Sequence, residues 1–246
     1  MPTIHLQVCA GFANRVRAMI SGICLAEDVQ LPLVIHWFPK SPECACRFAS
    51  VLDPESLPKT VKIVPEDIYQ AYDVQTKDDW NKLDSYWDKK TDISIKSHGI
   101  FFSNDRYDFH LRNLKPSSWV KDFLLRRTSH VDWSTAIGVH IRRTDHKKAI
   151  QGSPLESFLE KMRKEPDAFF VVATDDKDVK EQIEQEFLAR CVFPAIRLTR
   201  NTEEGMIQGV ADFFALSKCQ NLWGSYWSSF SELSAKYGKI ECEVVT

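Results

Sequence analysis

Apolar runs that alternate with helical stretches are the feature that most restricts how this 246-residue chain can fold. After residue 128, the runs AIGVHI, AFFVVATDD, FPAIRL, NLWG and KIECEVV have the length and composition of buried strands. Segments with apolar residues at helical spacing, such as KDVKEQIEQEFLAR, lie between these runs. This alternation predicts a parallel sheet with helices on both faces.

The amino-terminal half begins with a similar unit. TIHLQVC and PLVIHW predict strands, and the intervening segment has an apolar helical face formed by Val16, Met19, Ile20 and Ile23. From about residue 38 to 128 the pattern is less regular, although TDISIKSHGIFFS is typical of strands and SSWVKDFLLRR of a helix. We therefore expect two Rossmann-like domains, residues 1–128 and residues 129–246.

The overall composition restricts the classes of partner. The chain has 32 Lys and Arg against 34 Asp and Glu, a net charge of -2, which gives no general attraction for nucleic acid or an anionic membrane. No apolar run is long enough to span a bilayer, and the first residues lack a signal-peptide pattern, so we expect a cytoplasmic location. The seven cysteines indicate reduced thiols, because their number is odd and their surroundings are apolar. Cys44 and Cys46 have no second pair to complete a zinc site.

Polar clusters follow four of the predicted strands in the carboxyl-terminal half: HIRRTD, TDD, TRNTEE and GSYWSS. In an open parallel sheet, ligands bind beyond the carboxyl ends of the strands, where loops and helix N-termini meet. We therefore expect a ligand site to be built from these clusters.

The arginine pair Arg142 and Arg143 fits a diphosphate clamp, because planar guanidinium groups bind phosphate oxygens bidentately. Such a clamp compensates the charge that a nucleotide leaving group gains as a glycosidic bond breaks. A surface ion pair with Asp145 is the alternative. Ser228 and Ser229 begin a helix whose free N–H groups attract phosphate, although Ser229 also fits an N-terminal capping box with Glu232.

Three further positions leave alternatives open. Asp175, in the sequence DDKD, fits either a D-x-D metal motif or a helix start that contacts nucleotide hydroxyls without metal, and we favour the second. His140 fits a buried core imidazole or a contact to a nucleotide base. Asp212 lies in an otherwise apolar helix and, taken alone, is expected to face solvent.

The amino-terminal half has its own candidate for phosphate binding. Gly11 and Asn14 lie in the turn between the first strand and helix, where backbone amides can reach a phosphate. Arg15 or Arg17 is expected to add positive charge there. In the carboxyl-terminal half, Ser153 before Pro154 and Glu156 predicts a capping box at the start of a helix.

Five motifs in this order, GFANRVR, HIRRTD, VATDD, RNTEEGMIQGVADFFALS and SSFSELS, resemble those of the fucosyltransferase superfamily. The superfamily includes α-1,6-fucosyltransferases, bacterial nodulation fucosyltransferases and protein O-fucosyltransferases. The resemblance implies an α/β, GT-B-like fold with two Rossmann-like domains facing across a cleft, the amino-terminal one on the acceptor side. It also implies metal-independent transfer of fucose, with inversion and without a cofactor, from GDP-fucose to a glycan hydroxyl.

The resemblance further implies the roles of individual residues. Arg142 is expected to bind the diphosphate during catalysis, His140 and Asp212 to contact guanine, and the loop from Gly11 to Asn14 to close over the β-phosphate. The implied donor-binding residues are Gly11, Phe12, Ala13, Asn14, His140, Arg143, Asp175, Asp212, Ser228 and Ser229.

The chain departs from the superfamily pattern at the expected general base. The α-1,6-fucosyltransferases have a glutamate shortly after the RRTD motif, where this chain has HKKAI. Asp145, His146 and Glu156 are therefore the hypotheses for the base, with Asp145 our choice as catalytic partner of Arg142. A transferase that uses a UDP or dTDP sugar and an inactive carbohydrate-binding module are the alternative functions.

Overall fold

The computed structural model of the protein describes residues 1–144 and 147–246. This part of the chain forms two compact units, residues 1–117 with 201–203 and residues 118–200 with 204–246. Each unit contains one five-stranded sheet whose paired strands all run parallel. The α/β fold predicted from the alternation of strands and helices is therefore confirmed.

The sheet of the first unit has the strand order β3-β2-β1-β5-β4. Its strands are β1 (Ile4–Val8), β2 (Leu33–His36), β3 (Val61–Val64), β4 (Tyr72–Asp73) and β5 (Ile93–Ser97), and its helices are α1 (Phe12–Asp28), α2 (Phe48–Val51), α3 (Lys77–Asp84) and α4 (Tyr107–Asn113). Burial alternates along β2 and β5, because one face of the sheet packs on α1 while the other is partly accessible.

The sheet of the second unit has the strand order β10-β9-β6-β7-β8. Its elements are α5 (Ser118–Thr128), β6 (Ile137–Ile141), α6 (Lys147–Gly152), α7 (Leu155–Arg163), β7 (Phe170–Thr174), α8 (Lys177–Phe187), β8 (Cys191–Val192), α9 (Glu203–Leu216, whose first residue groups with the first unit), β9 (Asn221–Ser225), α10 (Ser229–Gly238) and β10 (Cys242–Val245). The central strands β6 and β7 are buried at every position. This is the burial expected of a parallel sheet covered on both faces.

Two apolar cores cover the faces of the second sheet. One contains residues of β6 and β7 with Phe158 and Met162 of α7 and Ile183 of α8. The other contains Leu216 and Ala235 from α9 and α10. Each fully buried large apolar side chain contributes about 1.5–3 kcal/mol to folding, so these cores fix the sheet edge on which the site is built.

The segment FPAIRL is not a strand, contrary to the sequence prediction. Strand β8 contains only Cys191 and Val192, and the chain leaves the sheet at Phe193. The backbone N–H groups of Ala195 and Ile196 donate to side chains of α9 instead of to a neighbouring strand, which satisfies their hydrogen bonds outside the sheet.

The two predicted capping boxes are also wrong. The Ser153 hydroxyl does not cap α7; it donates to the Val245 carbonyl and accepts from the Tyr226 N–H. Helix α10 begins at Ser229 with Ser228 as its N-cap residue, and its start carries no side-chain cap from Ser228. Ser229, the predicted capping residue, is therefore the first helical residue, and the Ser228 hydroxyl lies 3.3 Å from His140 Nδ1. Within the described chain, no helix has the length and apolarity that a membrane span requires.

Candidate functional site

The carboxyl edge of the second sheet brings together three of the predicted polar clusters. The key local feature is Gly224 of β9, which pairs in register with His140 of β6. A Cβ atom on Gly224 would lie 2.7 Å from Cβ of Ser231, so glycine is what allows α10 to pack this closely. Ser231 thereby comes within hydrogen-bonding distance of His140.

His140 is a buried imidazole rather than a surface group. Its Nδ1 atom hydrogen-bonds with the Ser231 hydroxyl at 2.7 Å and lies 3.3 Å from the Ser228 hydroxyl, and its ring packs on Phe230 with 4.9 Å between centroids. Burial, together with the nearby Arg142 guanidinium, lowers the pKa of His140 well below its ordinary value. The ring is therefore neutral at physiological pH and presents a fixed hydrogen-bonding edge.

The Arg142 guanidinium forms an ion pair with Asp175, and both side chains are about one-fifth exposed, 21% and 18%. The distance between Arg142 Nη1 and Asp175 Oδ2 is 3.2 Å. The backbone N–H of Arg142 donates to the Ser225 hydroxyl, which in turn donates to the His140 carbonyl. These contacts fix the turn after β6 and hold a positive charge at the partly open edge of the sheet.

Asp175 organises this turn from the neighbouring strand. Its Oδ1 accepts from the Arg143 N–H at 2.7 Å, and its Oδ2 accepts from the Thr144 hydroxyl at 2.7 Å. Both carboxylate oxygens are thus engaged by protein groups, so Asp175 acts here as the anchor of the arginine turn. Its expected contact with the nucleotide stays a prediction.

The other arginine of the pair is directed into the protein. The Arg143 guanidinium donates to the Ser153 carbonyl at 2.7 Å, and burial lowers the pKa of Arg143. Its Nη1 atom is buried and has no hydrogen-bond partner among the described residues. Arg142 is therefore the better placed of the two to meet a solvent-borne anion, while Arg143 supports the loop.

Of the acidic residues after β7, Asp176 lies at the helix start, as the sequence favoured. Asp176 is the N-cap of α8, and its carboxylate accepts from the backbone N–H groups of Asp178 and Val179. In residues 1–144 and 147–246, no group of three or more His, Cys, Asp or Glu side chains is arranged to hold a metal ion.

Asp212 is buried, so the expectation of a solvent-facing side chain is wrong. It is 6% exposed on α9, and its Oδ1 accepts from the Ala195 N–H at 2.9 Å. Burial raises the pKa of Asp212 to about 8. One turn earlier, the Gln208 side-chain oxygen accepts from the N–H groups of Ile196 and Arg197 at 2.7 and 2.8 Å.

The start of α10 completes this part of the site. Ser228 is buried beside His140, and Ser229 is half-buried as the first helical residue. The Ser228 side chain forms no cap with the helix N–H groups. A helix N-terminus in this state can accept an anion at its backbone amides.

In the first unit, the predicted phosphate loop is the start of α1. Gly11 is the N-cap residue, Phe12 and Ala13 are buried, and Asn14 is half-buried. The preceding Ala10 has φ of 62°, a left-handed conformation that turns the chain sharply into the helix. This places the backbone amides of the first helical turn at the carboxyl end of β1.

Arg15 does not add charge at the surface as the sequence suggested. It is 1% exposed, its guanidinium donates to the carbonyls of Ala10 and Phe38 at 3.0 Å, and it lies over the Trp37 ring. The side chain therefore braces the loops after β1 and β2. It also lines an open cavity of about 290 Å³ together with Lys40 and Lys96, which is the size of a small ligand site.

Of the three candidates for a general base, Asp145 and His146 lie outside the described residues. Glu156 lies in the first turn of α7 and pairs with Arg163, which also binds Glu186. This exposed ion-pair network gives Glu156 a structural role on the helix surface.

Sequence reasoning missed several residues that build the site. Gln208 precedes Asp212 by four positions, so the two share a helix face, and this spacing was the available signal. Ser231 follows Ser228 by three positions, which also places both on one side of a helix. Gly224 and Ser225 gave no such signal, because their roles depend on the pairing of β9 with β6.

The fold described above, with its two parallel α/β sheets, is similar to that of solved fucosyltransferase structures. No family model and no curated protein sequence matches the chain. Among solved structures, fucosyltransferase NodZ from Bradyrhizobium matches with a TM-score of 0.66 at 15% identity, over 95% of this chain and 92% of that one.

Two other solved structures show the same fold. FUT1 from Arabidopsis thaliana, a mutant in complex with GDP, has a TM-score of 0.67 at 11% identity, over 98% of this chain and 69% of that one. POFUT1 in complex with GDP has a TM-score of 0.62 at 14% identity, over 99% and 98% of the two chains. At these identities the similarity establishes a common fold.

Proposed function

We propose that the protein is an inverting, metal-independent glycosyltransferase that transfers fucose from GDP-fucose to a hydroxyl group of a glycan. Two solved structures with this fold involve that donor: NodZ α-1,6-fucosyltransferase was soaked with GDP-fucose, and POFUT1 was determined in complex with it. The proposal for this chain depends on its own residues at the edge of the second sheet.

The arrangement of Arg142 is the observation that carries the proposal. Its guanidinium is held by Asp175 at a partly exposed edge, and the same edge carries the N-terminus of α10 at Ser229. A nucleoside diphosphate leaves with additional negative charge when the glycosidic bond breaks. A positioned cation and a set of helix amides stabilise that charge without reorganisation.

The buried polar groups behind this edge fit recognition of a base. His140 is neutral and held by Ser231, so its remaining ring nitrogen is fixed in direction. Asp212 has one carboxylate oxygen engaged by the Ala195 N–H, which leaves the other to contact a ligand. Guanine N–H groups favour the ionised form of this carboxyl group, so donor binding would lower the pKa that burial raises in the ligand-free protein. A site built for these N–H groups rejects a base that leaves its polar groups unmatched.

A thermal-shift panel of GDP, GDP-fucose, UDP and dTDP tests the choice of donor. We expect only the guanine nucleotides to stabilise the protein, by about 2.7 kcal/mol at a hundredfold excess over Kd. Stabilisation by UDP or dTDP instead would support a transferase with another donor. Binding of a glycan without binding of any nucleotide would support the carbohydrate-binding module.

An Arg142→Ala variant tests the proposed catalytic role. We expect its transfer or donor hydrolysis rate to fall roughly 100-fold or more, as when a donor to a developing oxyanion is removed. Arg126→Ala is the matched control, because Arg126 is an exposed arginine on α5 of the same unit. Near-normal turnover by Arg142→Ala would contradict the assignment.

A further inference from the structure

Two aromatic residues directly after β9 are exposed. Tyr226 is 41% and Trp227 is 59% exposed, and their ring centroids lie 6.0 Å apart. Burial of an aromatic ring stabilises the folded state strongly, and these two exposed rings contribute only part of that stabilisation. The pair also belongs to the loop that carries Ser228 and Ser229, at the ligand-binding edge of the sheet.

The backbone of Trp227 is strained. Its φ is 57°, in the left-handed region where glycine is favoured and a bulky side chain is unusual. Strain of this kind is retained only where the surrounding structure imposes it, and it is concentrated at ligand-binding and catalytic positions. Trp227 therefore has an unfavourable backbone conformation, and burial of its side chain does not compensate for the cost.

The neighbouring residues fix this conformation. The Tyr226 N–H donates to the Ser153 hydroxyl at 2.7 Å, and that hydroxyl donates to the Val245 carbonyl. A Cβ atom on Gly152 would lie 2.7 Å from the Tyr226 ring, so the ring packs directly on the glycine backbone. The loop is therefore anchored to the end of α6 and to β10 at the residue that directly precedes Trp227.

The Lys148 ammonium lies over one face of the Trp227 ring, 4.4 Å from the ring centroid. A ligand that stacks on this ring would use the opposite face. A flat apolar ring with a hydrogen-bond donor next to it matches the chemistry of a pyranose, whose C–H face packs on an aromatic ring while its hydroxyls accept from an ammonium group.

We propose that Trp227, supported by Tyr226 and Lys148, is a stacking subsite for a neutral pyranose ring of the acceptor glycan. This inference rests on the proposed function, in which His140 and Asp212 contact the base and Ser228 adjoins the diphosphate. Trp227 immediately precedes that phosphate-binding helix start, and its exposure leaves it accessible to a second substrate from solvent. The alternative ligands for the Trp227 ring are the guanine base and the fucose of the donor.

The test uses an array of neutral and acidic oligosaccharides, probed with the full chain in the presence and absence of GDP. We expect Trp227→Ala to lose about tenfold in affinity for the neutral glycans that wild type binds, and Trp227→Phe to retain most of it. The affinity for GDP, measured by calorimetry, should not change. Trp119→Ala is the matched control, because Trp119 is 67% exposed on α5 of the same unit.

A Trp227→Gly variant separates ligand binding from stability. Glycine accepts the left-handed backbone, so this variant should melt no earlier than Trp227→Ala while losing the same glycan affinity. A ring with a purely structural role would instead leave glycan binding unchanged and lower the melting temperature in both variants, which would overturn the proposal.

Three further results would overturn it: unchanged glycan binding by Trp227→Ala, loss of GDP affinity in that variant with glycan binding retained, or no neutral glycan bound by wild type. If wild type binds neutral glycans through Trp227 but binds no guanine nucleotide, the stacking subsite is supported and the proposed donor is refuted. The two proposals therefore fail separately.

Discussion

Asp212 illustrates how burial changes the behaviour of an ionisable side chain. Inside the second unit its carboxyl group has a pKa of about 8, against 3.8 for the ordinary group, because the charged form loses its hydration. The folded state therefore binds a proton that the unfolded state releases between about pH 4 and pH 8. Stability from this group is fully present below pH 4 and is lost as the pH rises through 8.

An Asp212→Asn variant isolates this effect. The amide keeps an oxygen for the Ala195 N–H but does not ionise. We expect the free energy of unfolding of wild type to decline relative to the variant by more than about 2 kcal/mol between pH 4 and pH 8. Urea denaturation across that range measures it, and parallel curves for the two proteins would contradict the raised pKa.

Side chains of helix α9 provide the hydrogen-bond acceptors that a neighbouring strand would otherwise provide to the segment after β8. The backbone from Ala195 to Arg197 runs beside the helix, and its N–H groups are bonded by Asp212 and Gln208. One glutamine oxygen accepts two backbone donors at 2.7 and 2.8 Å. The Ala195 bond is buried and the two Gln208 bonds are partly buried, so together they hold the segment after β8 against the helix.

Replacing Gln208 with leucine tests how much this pairing contributes. Leucine has a similar volume but removes the acceptor of two partly buried backbone N–H groups, in hydrogen bonds that contribute about 0.5–1.5 kcal/mol each. We expect the urea midpoint to fall with an unchanged m-value. Gln182→Leu on the exposed face of α8 is the control, and an equal, small effect in both variants would contradict the role of Gln208.

The same elements explain what local sequence could and could not predict. Strands β6 and β7 were predicted because all of their residues are buried and apolar runs reveal them. Strands β3 and β4 were missed because β3 is only partly buried and β4 is exposed, so neither has a continuous apolar signal. FPAIRL is apolar enough for a strand, yet contacts from α9 decide its conformation.

Some features of the candidate site were also predicted from the sequence, and others were not. The topology of a parallel sheet predicted that the clusters after β6, β7 and β9 share one edge, and the structure places His140, Arg142 and Ser228 there. The predicted capping boxes failed because each helix begins one residue from its predicted start: the N-cap residue of α7 is Pro154 instead of Ser153, and that of α10 is Ser228 instead of Ser229. The Ser153 hydroxyl bonds to β10 instead, a contact that depends on helix and strand packing, which local sequence does not encode.

For the whole chain, charge and thiol chemistry give complementary information. A net charge of -2 provides no general attraction for an anionic donor, so our proposal assigns binding to local groups such as Arg142. Of the seven cysteines, four are buried and three are half-buried. Burial raises the pKa of Cys24, Cys191 and Cys242 to about 11, which leaves very little reactive thiolate near neutral pH.

These thiols predict how the native protein reacts with a disulfide reagent. At pH 8 a thiol with a pKa of about 11 has roughly a hundredfold less thiolate than an ordinary cysteine, so Ellman's reagent should modify the folded chain slowly. In denaturant without reductant all seven thiols should react, and Cys242→Ser should lower that number by one. The melting temperature should be the same with and without reductant, because no disulfide contributes to stability. Fast reaction of a native thiol, or fewer than seven in denaturant, would contradict this thiol arrangement.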